Sequence, residues 1–193
     1  MAEIKEKRYK WRRDDYREKT RGLLMVNTGD GKGKTTAAIG LMVRAAGRGL
    51  SCCMIQFMKS RNDRYGEHES LEMLGVEVHT MGDGFTWDTK DPVQDIQTAK
   101  KTWELCVEKM ESGDFDLLVF DELVYVLDYR FLEVDEVLDA IAKFRSSQPN
   151  LHLVLTGRNA PPKLIEAADL VTEMKEIKHP FHAGIFAQQG IEF

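Results

Sequence analysis

The chain has 193 residues, of which 42% are hydrophobic and 31% charged, with a net charge of -5 and three cysteines; this suits one soluble domain that buries its core without metals or disulfides. No apolar run is long enough to cross a bilayer, and Met1-Ala2-Glu3-Ile4-Lys5 does not lead into the apolar centre of a signal peptide, so a cytoplasmic protein without membrane attachment is expected. Cys52, Cys53 and Cys106 are odd in number and form no Cys-x-x-Cys pair, which argues against a disulfide framework or zinc site and reads as small core hydrophobes.

Charge is uneven along the chain. Residues 1–20 hold eight Lys and Arg against five Asp and Glu, leaving about -8 on the rest, so the protein as a whole does not read as a nucleic-acid binder. The basic head also carries Tyr9, Trp11 and Tyr16. Such a segment could bind RNA or a membrane surface; the preferred reading is an arm or helix, residues 1–21, that packs over a site or a neighbouring subunit. Residues 22–193 then form the domain.

The first predicted strand, Leu23 to Asn27, breaks directly into Thr28-Gly29-Asp30-Gly31-Lys32-Gly33-Lys34-Thr35-Thr36, and a helix from Thr35 to Gly47 follows. A strand that turns through glycines into Lys-Thr before a helix is a phosphate-binding loop. Glycines let backbone N–H groups converge on one anion, and the helix adds the positive end of its dipole. Gly29, Asp30, Gly31, Lys32, Gly33, Lys34, Thr35 and Thr36 are therefore candidate nucleotide-binding residues. The motif is a variant: Thr28 stands where the usual spacing has its first glycine, and Lys32 adds a second cation.

Further strands are predicted at Cys52 to Met58, Val76 to Met81, Leu117 to Phe120, Leu151 to Thr156 and Leu170 to Glu173. Helices are predicted at Glu67 to Leu74, Val93 to Glu111, Val134 to Arg145 and Pro162 to Ala168. Several strands are apolar on both alternating faces, as strands covered on two sides must be. Regular alternation with helices implies an α/β fold: an open, mainly parallel sheet of about six strands with helices on both faces, of the P-loop NTPase, RecA-like kind. Ligands then bind at the carboxyl ends of the strands. The tail from His179 onward shows no periodicity and reads as irregular.

At those strand ends lie the residues that could carry chemistry. Leu117-Leu118-Val119-Phe120-Asp121-Glu122 has the form of a Walker B segment; with the hydroxyl of Thr35, Asp121 and Glu122 are candidate ligands for Mg2+ or Mn2+, directly or through water. Gly82-Asp83-Gly84-Phe85-Thr86-Trp87-Asp88-Thr89 presents two aromatic rings where polar turn residues are usual. Either Phe85 and Trp87 fold back into the core or they face a large flat apolar ligand. Arg44, Lys59 and Arg158 are cations that could reach phosphate. The five histidines show no metal-ligand spacing on one helix, His79 and His152 read as packing residues, and no nucleophile–base pair is evident.

Together these segments resemble the ATP:corrinoid adenosyltransferases of the CobA/BtuR type, from about Gly22 to Phe193. The phosphate loop, Gln56-Phe57-Met58-Lys59, Gly84-Phe85-Thr86-Trp87-Asp88-Thr89, Asp121-Glu122-Leu123, Thr156-Gly157-Arg158 and Gln188-Gln189-Gly190-Ile191-Glu192-Phe193 carry the likeness. The resemblance implies transfer of the 5′-deoxyadenosyl group of ATP to the Co(I) of a reduced corrinoid with release of triphosphate. It implies catalytic roles for Phe85 and Trp87, which in the family lie under the corrin and displace its lower axial ligand, and for Lys34 at the phosphates. It also implies ATP held in reverse relative to ordinary P-loop proteins, a homodimer, and electrons from a reductase or flavodoxin. Ser60, Val124 and His182 depart from the family pattern, which has glycine, Asn or Thr, and an acid there. Two other classes fit the loop alone: a small P-loop kinase passing on the γ-phosphoryl group, and a non-catalytic ATP switch that uses Phe85 and Trp87 for protein docking.

Overall fold

A computed structural model of the chain describes residues 20–60, 62–63, 65–82 and 92–192. Among these residues the strands are β1 (Leu24–Thr28), β2 (Cys52–Ser60), β3 (Glu77–Gly82), β4 (Leu117–Asp121), β5 (His152–Thr156) and β6 (Leu170–Glu173). The helices are α1 (Lys34–Ala46), α2 (Gly66–Met73), α3 (Pro92–Ser112), α4 (Leu123–Asp128), α5 (Val134–Ser147) and α6 (Pro162–Ala167), with a 3-10 turn at Pro180–Ala183. The strands form one sheet in the order β3-β2-β4-β5-β1-β6, and every pairing is parallel. The expected architecture is borne out. Two elements were not expected: the short helix α4 directly after Glu122 and the 3-10 turn in the tail.

Alternation along the strands decides what each face buries. Leu24, Val26, Cys53, Ile55, Leu118, Phe120, Leu153 and Leu155 join Cys106 and Met110 of α3, Val137, Ile141 and Phe144 of α5 and Leu164 of α6 in one cluster. Met25, Cys52, Met54, Val119 and Val154 join Ala38 and Met42 of α1 and Leu71 of α2 in the other. The cysteines are free and buried in these clusters, as their reading as core residues requires. Each central strand thus supplies both cores, which is why β1, β2 and β4 read as nearly unbroken apolar runs.

The strand order sets where a ligand binds. After β1 the chain travels through α1 toward β2 and β3; after β4 it returns through β5 to β6 on the far side of β1. Loops leaving β1 and β4 therefore part company, opening a crevice at the carboxyl ends of the strands. β5 lies between the two, so its last residue, Thr156, stands between the phosphate loop and Asp121.

The opposite end of the sheet holds a titratable tie. His152 accepts the Leu23 N–H at its Nδ1, 3.2 Å away, so that nitrogen must be unprotonated. Burial lowers its pKa from 6.5, the Asp116 charge opposing in part. The unfolded chain thus binds more protons than the folded one just below pH 6.5, and stability rises with pH there. His152 should contribute fully above pH 6.5 and lose its contribution as pH falls through the folded value. Urea unfolding between pH 5 and 8 should show a slope in that window, and His152→Asn, which keeps an acceptor but cannot titrate, should flatten it.

Candidate functional site

The phosphate loop is shaped largely by backbone contacts to the segment after β6. Gly31 N–H donates to the Met174 carbonyl at 2.7 Å, and Met174 N–H donates to the Thr28 carbonyl at 2.7 Å. A Cβ at Gly29 would lie 2.4 Å from the Met174 oxygen, and Gly29 has a φ of +94°. A Cβ at Gly31 would lie 2.7 Å from the Lys175 carbonyl carbon. These two glycines are thus demanded by chain crossing as well as by any anion, and the Gly31 N–H is already engaged within the protein.

The irregular first position of the motif has a local reason. Thr28 is buried, and its Oγ1 accepts the Ala160 N–H at 3.1 Å, joining the loop to the turn after β5. Gly33 has a φ of +110° and caps α1. Asn27 Nδ2 donates to the Lys34 carbonyl at 3.2 Å, which fixes the first helical turn against the end of β1.

Lys34 folds back over its own loop. Its Nζ donates to the carbonyls of Gly29 at 2.8 Å and Gly31 at 2.9 Å. Burial lowers its pKa, while Glu122, Asp30 and Asp121 oppose that effect and Arg158 adds to it. Lys32 is more exposed and pairs with Glu192 of the tail. Asp30 and Thr36 are exposed at the loop and the start of α1. Arg44 is in the last turn of α1 and exposed, about 15 Å along the helix from Lys34 at 1.5 Å per residue. The structure does not bring it to the phosphate loop of its own chain.

Asp121 gathers the site. It is 1% exposed; its Oδ1 accepts the hydroxyls of Thr35 at 2.8 Å and Thr156 at 2.7 Å, and its Oδ2 accepts Gln56 Nε2 at 3.2 Å. Donating its proton to Asp121 leaves the lone pairs of Thr35 Oγ1 free to meet a cation. Glu122 follows with a φ of +62°, and its N–H donates to Thr156 Oγ1 at 2.9 Å. Burial and the neighbouring Asp121 push the Glu122 carboxyl up to about 7, with Lys34, Arg158 and Lys59 pulling it down. Hydroxyl and carboxylate oxygens are the donor set a hard divalent cation takes.

Lys59, at the end of β2, pairs with Glu67 and lies 4.4 Å from the Tyr65 ring centroid. Burial lowers its pKa, with Asp121 and Glu122 opposing, which places three cations, Lys34, Lys59 and Arg158, in the field of the two carboxylates. Thr156 was legible as a polar strand end and Gln56 as the start of a polar-interrupted segment of β2, although their joint hold on Asp121 was not. Phe85 and Trp87 lie outside the described residues, in the segment that follows the end of β3 at Gly82.

The departures have local roles. Val124 is fully buried and lies against Gly157, where a Cβ would meet Val124 Cβ at 2.8 Å. Ser60 Oγ accepts the Asn62 N–H at 3.2 Å, and His182 contacts Glu176 at 2.8 Å. A Cys53, Glu77 and His79 group, its ligand atoms within 4.8 Å of one another, sits at the far end of β2 and β3. There Lys109 already holds Glu77 at 2.6 Å, and His79 touches it at 2.5 Å.

Comparisons with known proteins bear on the family and the fold. The family described as ATP:corrinoid adenosyltransferase BtuR/CobO/CobP matches residues 20–193. A corrinoid adenosyltransferase of Sinorhizobium sp. is 44% identical over 177 residues, covering 90% of this chain and 81% of that protein. One from Pseudomonas aeruginosa is 43% identical over 175 residues, covering 90% and 84%. One from Escherichia coli K12 is 35% identical over 200 residues, covering 98% and 100%. Among solved structures, the flagellar accessory protein FlaH from Methanocaldococcus jannaschii has a TM-score of 0.55 at 11% identity, covering 79% of this chain and 71% of that one. A KaiC-like protein from Pyrococcus horikoshii has a TM-score of 0.51 at 16% identity, covering 82% and 75%; likeness at such identity concerns the fold, which is P-loop NTPase-like. The family match over residues 20–193 and the extent of identity to its named members establish that this chain belongs to the ATP:corrinoid adenosyltransferase family BtuR/CobO/CobP.

Proposed function

We propose that this chain transfers the 5′-deoxyadenosyl group of ATP to the Co(I) of a reduced corrinoid. The new Co–C bond takes its electron pair from cobalt, which becomes formally Co(III), and the C5′–O bond breaks with its pair leaving on triphosphate. The observation that supports this reading is the convergence of the phosphate loop, Thr35, Thr156 and Gln56 on Asp121, in a chain of this family. Family membership sets the kinase alternative aside. Because the attacking atom carries no proton, the reaction needs no general base, in keeping with a site built of phosphate-binding groups and carboxylates.

The protein's task is to position ATP and stabilise the leaving group. Lys34 moves from the loop carbonyls to the phosphates, Lys32 leaves Glu192 for the same charge, and Arg158 adds a third cation. Thr35 and Asp121, with Glu122 beside them, would hold Mg2+ or Mn2+, which supplies charge neutralisation to the departing triphosphate. Phe85 and Trp87 would wall the lower face of the corrin without offering cobalt a lone pair, easing reduction of Co(II). Residues 1–21 would close over the corrinoid of their own or a partner subunit in a homodimer, and a reductase or flavodoxin would supply the electron.

Incubation with ATP, Mg2+ and chemically reduced cobalamin should yield light-sensitive adenosylcobalamin and triphosphate in equal amounts; ADP in place of triphosphate would refute the reading. Lys34→Ala should lower kcat/KM by about 10²–10³-fold, the range for a lost transition-state donor, with an unchanged melting temperature in the absence of ATP to within a few degrees. Trp87→His offers the cobalt an axial nitrogen, so adenosylation coupled to Co(II) reduction should fall about tenfold or more, while the reaction from chemically prepared Co(I) is largely retained. Equal rates from both starting states would remove the assigned role of Trp87.

A further inference from the structure

Gln56 is a fully buried polar side chain beside the site, at 0% exposure in the middle of β2. The sheet register sets it level with Asp121 on β4 and with Thr80 on β3. A primary amide at that depth is costly unless both its ends are paired. They are: Nε2 donates to Asp121 Oδ2 at 3.2 Å, while Oε1 receives His68 Nε2 at 2.6 Å and the Thr80 hydroxyl at 3.2 Å. His68 belongs to the first turn of α2, is 7% exposed, and accepts the Tyr65 N–H at its Nδ1, 3.4 Å away.

The partners at the two ends of this chain agree on one direction. Nδ1 faces a backbone donor, so the proton is on Nε2, which donates to Gln56 Oε1. The amide nitrogen of Gln56 then faces the Asp121 carboxylate. Turning the amide over would set a carbonyl against a carboxylate and an N–H₂ against the Nε2–H, two repulsions in place of two hydrogen bonds. Two hydroxyls pin Oδ1 of Asp121, and Gln56 fixes the rotation of the carboxylate about them by holding Oδ2. We propose that His68 is a positioning residue for the cation site: acting through Gln56, it sets the plane of the Asp121 carboxylate and hence the direction in which Asp121 and Thr35 present oxygen to the metal. This deepens the reading of Asp121 as part of the cation site and rests on it. The same turn of α2 carries Glu67, the partner of Lys59, so α2 buttresses both a carboxylate and a cation of the crevice.

The test is Mn2+ affinity, read by electron paramagnetic resonance in the presence of ATP, for the full chain and its variants, with thermal unfolding of each recorded separately. His68→Leu removes the donor and should weaken Mn2+ binding about tenfold, the lower end of the range for outer partners of metal ligands. His68→Gln places an amide nitrogen near the position of Nε2 and should stay within about threefold of the parent. Gln56→Met breaks the chain at a second point with little change in volume and should weaken Mn2+ as His68→Leu does. The two losses should not add in the double variant, because both cut one connection. Parent-like affinity in His68→Leu and Gln56→Met, or equal losses in His68→Leu and His68→Gln, would overturn the proposal. Asp121→Asn separates the two levels: if Mn2+ still binds as tightly as to the parent, the cation reading itself falls and the role of His68 with it; if Asp121→Asn loses Mn2+ while His68→Leu does not, only the positioning role is refuted.

Discussion

One buried carboxylate constrains the architecture of the crevice. Asp121 is almost wholly removed from water, and an ion in that position is tolerated only when hydrogen bonds replace its hydration. The donors come from the start of α1, the end of β5 and the middle of β2, so helix, loop and two neighbouring strands must all be in place before the charge is accommodated. The strand order follows the same requirement. β5 lies between β1 and β4, which lets a threonine at its tip bridge what the phosphate loop and β4 carry, and both cores depend on that interleaving.

Around this carboxylate cations and carboxylates are interleaved. Lys34, Lys59 and Arg158 surround Asp121 and Glu122, yet Lys34 is bound to loop carbonyls, Lys59 to Glu67 and Lys32 to Glu192. Lys34, Lys59 and Lys32 are thus each held by a partner within the chain. Glu122, pushed up to about 7 by burial and by Asp121, shows from the other side that the pocket resists two bare carboxylates. A divalent cation, as proposed for this site, would relieve that repulsion.

Much of this was legible in the sequence because it repeats locally. Alternation in β1, β2 and β4 gave the two faces, and Gly-x-Gly-Lys-Thr followed by a helix gave the loop. Asp121 was visible as a charged end to an apolar run. What escaped depends on single contacts between residues far apart in sequence: Thr156 with Asp121, His68 with Gln56, and Met174 with Gly31 leave no periodic trace. Helix α4 escaped for a different reason. Its six residues, Leu123–Asp128, are too few to establish a helical period, and Glu122 enters it through a left-handed turn that favours Gly or Asn by propensity. Arg44 was legible only as a cation; that it sits in the last turn of α1, about 15 Å from Lys34, follows from the helix itself.

The crossing of the chain at Met174 has a consequence for how ATP is received. A phosphate loop in isolation is glycine-rich backbone with wide conformational freedom, and ordering such a segment costs roughly 1–2 kcal/mol per residue. Here Thr28 and Gly31 are stapled to Met174 on one side and Thr28 to Ala160 on the other, so that expense is met while the protein folds. Under the proposed function the nucleotide would meet a mould rather than a rope, and interaction energy that would have gone into freezing the backbone would remain for holding the triphosphate.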